Sequence, residues 1–554
     1  MDTLFAPGEE LSATPETQPT IVPLSAAIEK FLAQREKQQA FYTGEASTIR
    51  VSQVLGSIAH LYEKIRNVVE YKGEHVLQRN AIERILKRLL WERVSHDTER
   101  IAQILIRELI WARYLRNDTV PKRKIPEVAA IISKYLYLLG ALTQRSQGIP
   151  LNDLRNWIWG VASCEIEETL DPSNREPYVQ LMFDWFTTHF DWHNDDLSAH
   201  EKQMQIYLAI HRALTKSDEQ IMRYHLLCKE FPDWSKAQKS TVDTLIENFF
   251  KIYTEIERHL QFPDRFPLYR IVQRQVAPFE VLRELMLKEG NQLPQVLGDI
   301  QTFESKVREI CQTRYAQIQK KVNRGIVRSI IYIFATKVLL ALLIEVPYEI
   351  YSFGKLSYLP LGVNVIVPPA LMFLIGLSIK APGEDNTQRI IAKLKSIIYT
   401  QNYGAKTVCS LARAKRGTFL AHMFALIYMI LFLIVFGAIT YFLWQLHFTI
   451  VGIVIFFIFL SLVLLFGFRV RFTASELKIT GSEESFFGYI FNNLTLPFLS
   501  TGVYLSKGLA KINFLTIILD FLIEAPLKTV IDVVEEWTSF VREKREEVVE
   551  VPQQ

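Results

Sequence analysis

Thr418–Phe468 reads TFLAHMFALIYMILFLIVFGAITYFLWQLHFTIVGIVIFFIFLSLVLLFGF and contains no Asp, Glu, Lys or Arg. At a helical rise of about 1.5 Å per residue, this run is about twice as long as a hydrocarbon core of roughly 30 Å is thick. It predicts two membrane-spanning helices joined by a short turn near Trp444, Gln445, Leu446 and His447. Tyr441, Phe442 and Trp444 fall just before that turn, where amphipathic rings favour the headgroup layer.

Working back, two shorter apolar runs predict a first hairpin over 329–379, with spans at about Ser329–Pro347 and Leu361–Ile379. Pro368 and Pro369 should kink the second span and free carbonyls that need partners inside a bundle. Flanking charge sets the expected orientation. Lys306, Arg308, Arg314, Lys320, Lys321, Arg324 and Arg328 precede the first span, the connection 380–417 is basic, and Arg469 and Arg471 follow the last span. The two short turns between spans hold only Glu349 and Lys355 as charges, so both termini are expected in the cytoplasm.

In the connection 380–417, Ile390, Ile391, Leu394, Ile397 and Ile398 form one helical stripe, with Arg389, Lys393 and Lys395 away from it. That pattern predicts a basic amphipathic helix on an anionic lipid surface; packing on the cytoplasmic domain is the alternative. Beyond the last span, 469–526 reads as interfacial or re-entrant helices, with a fifth span over 486–525 as the alternative, because Pro497, Gly502, Lys507, Gly508 and Lys511 interrupt the apolar pattern. The end of the chain, 527–554, predicts an amphipathic helix and a charged tail.

Over the whole chain of 554 residues the net charge is +4, with 49% hydrophobic and 22% charged residues. Those averages blend a charge-rich first half with the apolar second. The fold class expected is all-α: a multi-pass helical membrane protein with a large N-terminal cytoplasmic helical domain. Residues 1–23 are rich in Pro, Thr and Glu and read as a disordered lead-in without signal-peptide pattern. Residues 24–296 read as an irregular helical bundle without convincing strands, with a possible sub-boundary near 171–176. A stalk helix is expected over 297–328. Its apolar residues recur at three- and four-residue steps, either as a short coiled coil or as ordinary packing on the bundle.

Four cysteines (Cys164, Cys228, Cys311 and Cys409) lie far apart, without a CxxC pair, which argues against a disulfide framework and fits a reducing compartment. No phosphate-binding loop, dinucleotide fingerprint, nucleophile elbow or kinase motif is present, so no catalytic residue and no cofactor are assigned. Interspersed basic and acidic residues give nucleic-acid binding no support.

Three features carry possible chemistry. Lys337 and Glu345 are ionisable groups within a span, which are costly and so default functional candidates; the plainer reading pairs Lys337 within the bundle and leaves Glu345 at the outer interface. Leu343-Ile344-Glu345-Val346-Pro347 is echoed by Leu522-Ile523-Glu524-Ala525-Pro526, a short repeat that suits a hinge. His189 and His193 would lie one helical turn apart near Asp191, Asp195, Asp196, His200 and Glu201, a spacing that can hold zinc. The absence of HExxH and the neighbouring Trp185, Phe186, Phe190 and Trp192 favour a core segment, so no metal is expected there.

The reading that follows is a non-enzymatic scaffold or subunit of a membrane assembly in a bacterial inner membrane. Its expected partners are the bilayer, anionic headgroups, and a protein partner or a second copy. A transporter or channel using the kinked second span with Lys337 and Glu345 is the alternative, and a membrane-tethered metalloenzyme the third reading.

Overall fold

The structure, a computed structural model, describes residues 23–40, 47–51, 76–91, 97–145, 148–171, 175–193, 197–354, 356–399, 407–410, 418–479 and 495–504. The expected lead-in up to residue 22, the echo at 522–526, most of 469–526 and the C-terminal helix of 527–554 lie outside the described residues. What is described is helical throughout, apart from one pair of four-residue strands and a few isolated bridges.

The first half is a stack of amphipathic helices around two apolar cores. Helices α1 (Ala26–Ala40), α2 (Leu77–Trp91), α3 (Thr98–Trp111), α4 (Lys124–Gln144) and α5 (Leu151–Leu170) are followed by α6 (Arg175–His189) and strand β1 (Phe190–His193). Then come α7 (Ala199–Leu214), α8 (Glu219–Glu230), α9 (Lys239–Leu260), α10 (Arg265–Gln273), α11 (Val276–Glu289) and α12 (Leu293–Gly298). Local chemistry fixes several starts. Asp97 accepts from the Glu99 amide, Asp218 from the Ile221 amide, and Ser198 and Glu201 form a reciprocal capping box.

One core joins α2, α3, α4, α5, α8 and α9 with Met204 and Leu208 of α7; the other joins α1, α6, the rest of α7, α10, α11 and α12 with elements from later in the chain. The chain passes from the first core to the second across 171–176, but α8 and α9 return to the first. A linear pattern does not reveal such a return, because each helix shows only that it has an apolar face.

Helix α13 (Ile300–Leu340) links the two halves. It starts at Ile300, because Gly298 ends α12 and Asp299 caps α13 by accepting from the Gln301 and Thr302 amides. Through a π-turn (Ala341–Glu345) it continues into α14 (Val346–Phe353). Phe303, Val307, Ile310, Cys311, Tyr315, Ile318 and Val322 are buried in the second core. That stripe is used up against α11, α12 and α16 (Glu384–Ile398), so the coiled-coil reading is corrected to ordinary packing on the bundle. The first span runs on past Pro347 to Phe353, where Gly354 in the left-handed region (φ 67) ends it.

Helix α15 (Tyr358–Ser378) contains both Pro368 and Pro369, and both are buried. It packs on α13 and on the long last helix, α18 (Ile450–Ala474). Close approach is built into these contacts. A Cβ on Gly376 would lie 2.7 Å from Ile326 Cγ2, and one on Gly467 would lie 2.8 Å from Ile375 Cγ2. Ile333, Met372, Ile455, Phe459 and Val463 form the apolar centre of this three-helix bundle.

Helix α17 (Thr418–Gln445) is separated from α18 by the expected turn, with His447 in the left-handed region (φ 59) and Thr449 capping α18 at the Gly452 amide. It meets α18 through a ladder of rings: Phe436 stacks on Phe432, Phe457 and Phe498. Phe498 belongs to helix 495–504, whose Gly502 comes against the Ser461 carbonyl. Much of the rest of α17, including Leu426, Ile427, Met429, Ile430, Leu433 and Ile434, is exposed.

Among the described residues, five helical stretches are long and apolar enough to cross a membrane by length and composition: Lys124–Gln144, Ile300–Ser352, Tyr358–Ser378, Leu426–Gln445 and Ile450–Ala474. The chain is an all-helical membrane protein. The first of the five, α4, is inserted in the first core, where Val128, Ile132, Tyr135, Leu138 and Leu142 are buried.

Two further expectations are overturned. First, β1 pairs in parallel with β2 (Thr407–Ser410), with Phe190 opposite Thr407 and His193 opposite Ser410. Four residues are too few to display an alternating pattern, and the partner strand lies far along the chain, so sequence periodicity missed the pair. Second, the stripe of α16 does not face lipid. Ile390, Ile391, Leu394, Ile397 and Ile398 are buried in the second core, and Ser25 donates through its hydroxyl and its amide to the Ile397 and Ile398 carbonyls. The basic residues follow: Lys395 pairs with Glu304, Lys393 lies over the Trp185 ring and burial pushes its ammonium down, and only Arg389 is exposed.

Candidate functional site

The two ionisable residues singled out within the spans meet each other. Lys337 and Glu345 are 0% and 4% exposed, and Lys337 Nζ lies 2.8 Å from Glu345 Oε1. Asn364 of α15 donates through Nδ2 to Glu345 Oε2 at 2.8 Å, and the same nitrogen lies 3.4 Å from the Gly452 carbonyl of α18. Lys337 Nζ also stands 4.9 Å from the centroid of the Phe459 ring. The expectation that Glu345 sits at the outer interface is therefore corrected. It is buried, and both its oxygens are engaged.

This cluster ties three helices together at one level. Pro368 and Pro369 lack the amides that would answer the Asn364 and Val365 carbonyls, which places backbone acceptors of α15 at the same level. Asn364 Oδ1 and Ser461 Oγ are buried and make no hydrogen bond within the described residues. A charge pair this deep, with its carboxylate doubly bonded, is electrically neutral and fixed in geometry. It fastens the bundle, and it would expose a proton acceptor wherever the pair opened.

His189 and His193 do not form a helical pair. Helix α6 ends at His189, and His193 belongs to β1, so the one-turn spacing is lost. His189 Nδ1 contacts the Trp185 carbonyl at 2.7 Å, and its ring stacks on the Trp185 indole at 4.6 Å.

A different set converges instead: Glu176 at the start of α6, His211 near the end of α7 and His225 in α8. Glu176 Oε2 lies 3.3 Å from His211 Nε2 and 3.5 Å from His225 Nδ1, and all three candidate donor atoms lie within 4.8 Å of one another. Tyr207 donates its hydroxyl to Glu176 Oε1 at 2.8 Å. Burial pushes the Glu176 carboxyl up, but His211, His225 and Tyr207 outweigh it and hold it at about 2. Burial and the neighbouring His211 push the His225 imidazole down, towards the neutral form. The sequence signal was faint: two histidines in buried helices, brought together from three elements with no fixed spacing.

A third polar centre lies between the helices of the first core. Tyr135 donates to Glu165 Oε2 at 2.8 Å and accepts from Trp234 Nε1 at 2.9 Å, while Lys134 reaches Glu165 Oε1 at 2.6 Å and the Trp234 carbonyl at 2.9 Å. Every polar atom of this network has a partner, which marks it as a fastening of α4, α5 and the turn at Trp234.

Comparison of the chain with protein-family models, with curated proteins and with solved structures gives no match.

Proposed function

We propose that the protein is a four-span membrane protein that acts as a non-enzymatic scaffold or subunit of a membrane assembly, presenting its N-terminal helical half on the cytoplasmic side. One observation carries this reading: the helical stretch Ile300–Ser352 has its first half in the core of the helical bundle and its second half in the span bundle. A helix shared by two cores transmits no independent motion between them, so the helical half is held at a fixed attitude to the spans. That is what an anchored platform requires.

The four spans are the second half of that stretch, α15, α17 and α18. Helix α4 is left out because Lys134 is spent on Glu165 and the Tyr137 hydroxyl on Asp243, contacts suited to a protein core. The basic residues before the first span, and Arg469 and Arg471 in the last, support the cytoplasmic orientation. The exposed apolar length of α17 suits lipid or the spans of a partner.

The test is affinity purification of the intact protein from its membrane in mild detergent, with mass spectrometry of what accompanies it. A reproducible stoichiometric partner is expected. A homo-oligomer without partners that conducts a solute in liposomes would overturn the scaffold reading in favour of transport. The buried Lys337–Glu345 pair is the observation on the side of transport. Flux unchanged by Lys337→Ala and by Glu345→Gln would remove that pair from any path.

A further inference from the structure

We propose that Glu176, His211 and His225 form a binding site for a divalent transition-metal ion of the zinc class, tying α6, α7 and α8 together. The two separations from Glu176 Oε2 suit such an ion, and all three donor atoms lie within 4.8 Å of one another. Donors held at about 2.0–2.1 Å round a tetrahedral centre stand about 3.3–3.4 Å apart. Glu176 Oε2 is 3.3 Å from His211 Nε2 and 3.5 Å from His225 Nδ1. His211 Nε2 and Glu176 Oε2 are buried atoms that face one another at 3.3 Å as an ion pair and make no well-formed hydrogen bond within the described residues, and His211 is 1% exposed. A buried carboxylate and imidazole that face each other without a well-formed hydrogen bond leave room for an ion to take both as ligands.

The outer contacts match as well. A metal-bound histidine generally hands its other ring nitrogen to a polar group that sets its orientation. His211 has Nδ1 at 3.2 Å from Ser217 Oγ, and His225 has Nε2 at 3.7 Å from Glu168 Oε1. Tyr207 occupies Glu176 Oε1 and leaves Oε2 as the donor. Each of the three residues thus turns one candidate donor atom towards the other two, while Tyr207 holds Glu176 Oε1, Ser217 meets His211 Nδ1 and Glu168 stands near His225 Nε2. Two imidazoles and one carboxylate favour zinc or cobalt over the hard cations, which prefer an all-oxygen shell. The Glu176 and Glu168 side chains are 41% and 39% exposed, so solvent reaches the rim of the site while the donor atoms Glu176 Oε2 and His211 Nε2 stay buried.

The test uses the full-length protein in detergent, purified without a polyhistidine tag, stripped with a chelator and titrated with Co(II) and then Zn(II). The expected result is about one Co(II) per chain, with the visible absorption of a low-coordinate site, which Zn(II) then abolishes. Glu176→Gln, His211→Gln and His225→Gln should each remove that absorption, and His189→Gln should keep it. Ser217→Ala, which touches no metal, should weaken binding by about tenfold, as loss of a supporting contact does. Since a substituted buried histidine can unfold the region, the wild-type titration decides by itself. Less than about one tenth of an ion per chain with no visible absorption overturns the proposal. Absorption that survives all three ligand substitutions, or vanishes in His189→Gln, overturns it too.

Discussion

Glu345 follows Lys337 by eight residues, yet their side chains meet at 2.8 Å, and the π-turn at Ala341–Glu345 lies between them. In a regular α-helix, residues eight apart are turned by about 80° from one another. A π-turn takes up an additional residue, which brings the pair close to the relation of residues seven apart, nearly on one face. The irregular turn and the ion pair are parts of one arrangement: the turn aims Glu345 inward, and Lys337 and Asn364 occupy its carboxylate.

Lys337→Met should destabilise the span bundle strongly. The Glu345 carboxylate would keep Asn364 but lose its counter-charge, and breaking one side of a buried pair costs about 3–5 kcal/mol. The double variant Lys337→Met/Glu345→Gln should recover more than half of that loss, because no bare charge remains. Thermal unfolding in detergent measures both. A single variant that melts with the wild type would show that the pair contributes nothing to stability.

Sequence alone revealed the apolar helices and the turn at His447, because uninterrupted hydrophobicity and its length are local properties. It also singled out Lys337 and Glu345, since charge in an apolar run stands out. It read the two as two turns apart on nearly the same face but left Glu345 at the outer interface, because a π-turn, which aims that carboxylate inward, leaves no sequence signature. The α16 stripe shows a second limit. An amphipathic pattern states that one face must be buried and is silent on whether lipid or protein buries it. The convergence of Glu176, His211 and His225 was beyond reach for a third reason: it depends on how three helices pack.

Tyr135→Phe should cost the first core about 1–3 kcal/mol. The lost hydroxyl both donates to Glu165 and accepts from Trp234, so its removal leaves two buried groups each short of a partner. Denaturant unfolding followed by tryptophan fluorescence would read this directly, with Trp234 as a local reporter. A change within about 0.5 kcal/mol, the usual range for an innocuous surface substitution, would contradict the network's role.

Stability should fall in acid partly through Glu83. Burial pushes its carboxyl up, but Lys87 and then Arg79, each at 2.6 Å, outweigh burial and hold it below its ordinary value of 4.5. A carboxyl held low in the folded state stabilises fully above its unfolded value, and that contribution is lost as pH falls through the folded one. Glu83→Gln should therefore be less stable than wild type at pH 7, and the gap should narrow as the solution is taken well below pH 4. Unfolding curves of both proteins across that range are the check. A gap of constant size would mean that Glu83 acts by shape and not by charge.

Helix α16 offers the sharpest contrast between its two faces. Leu394 is 0% exposed in the second core, while Arg389 is exposed. Leu394→Ala should cost about 2–5 kcal/mol, the range for a large aliphatic side chain removed from a packed interior. Arg389→Gln should change stability by less than about 0.5 kcal/mol. Were α16 instead laid on the bilayer by its apolar face, the ranking would depend on lipid: both variants would shift with anionic lipid content, and neither would matter greatly in neutral detergent. Unfolding in neutral detergent and in anionic nanodiscs separates these cases. A large Leu394→Ala effect in both media is the outcome that a helix packed on protein requires.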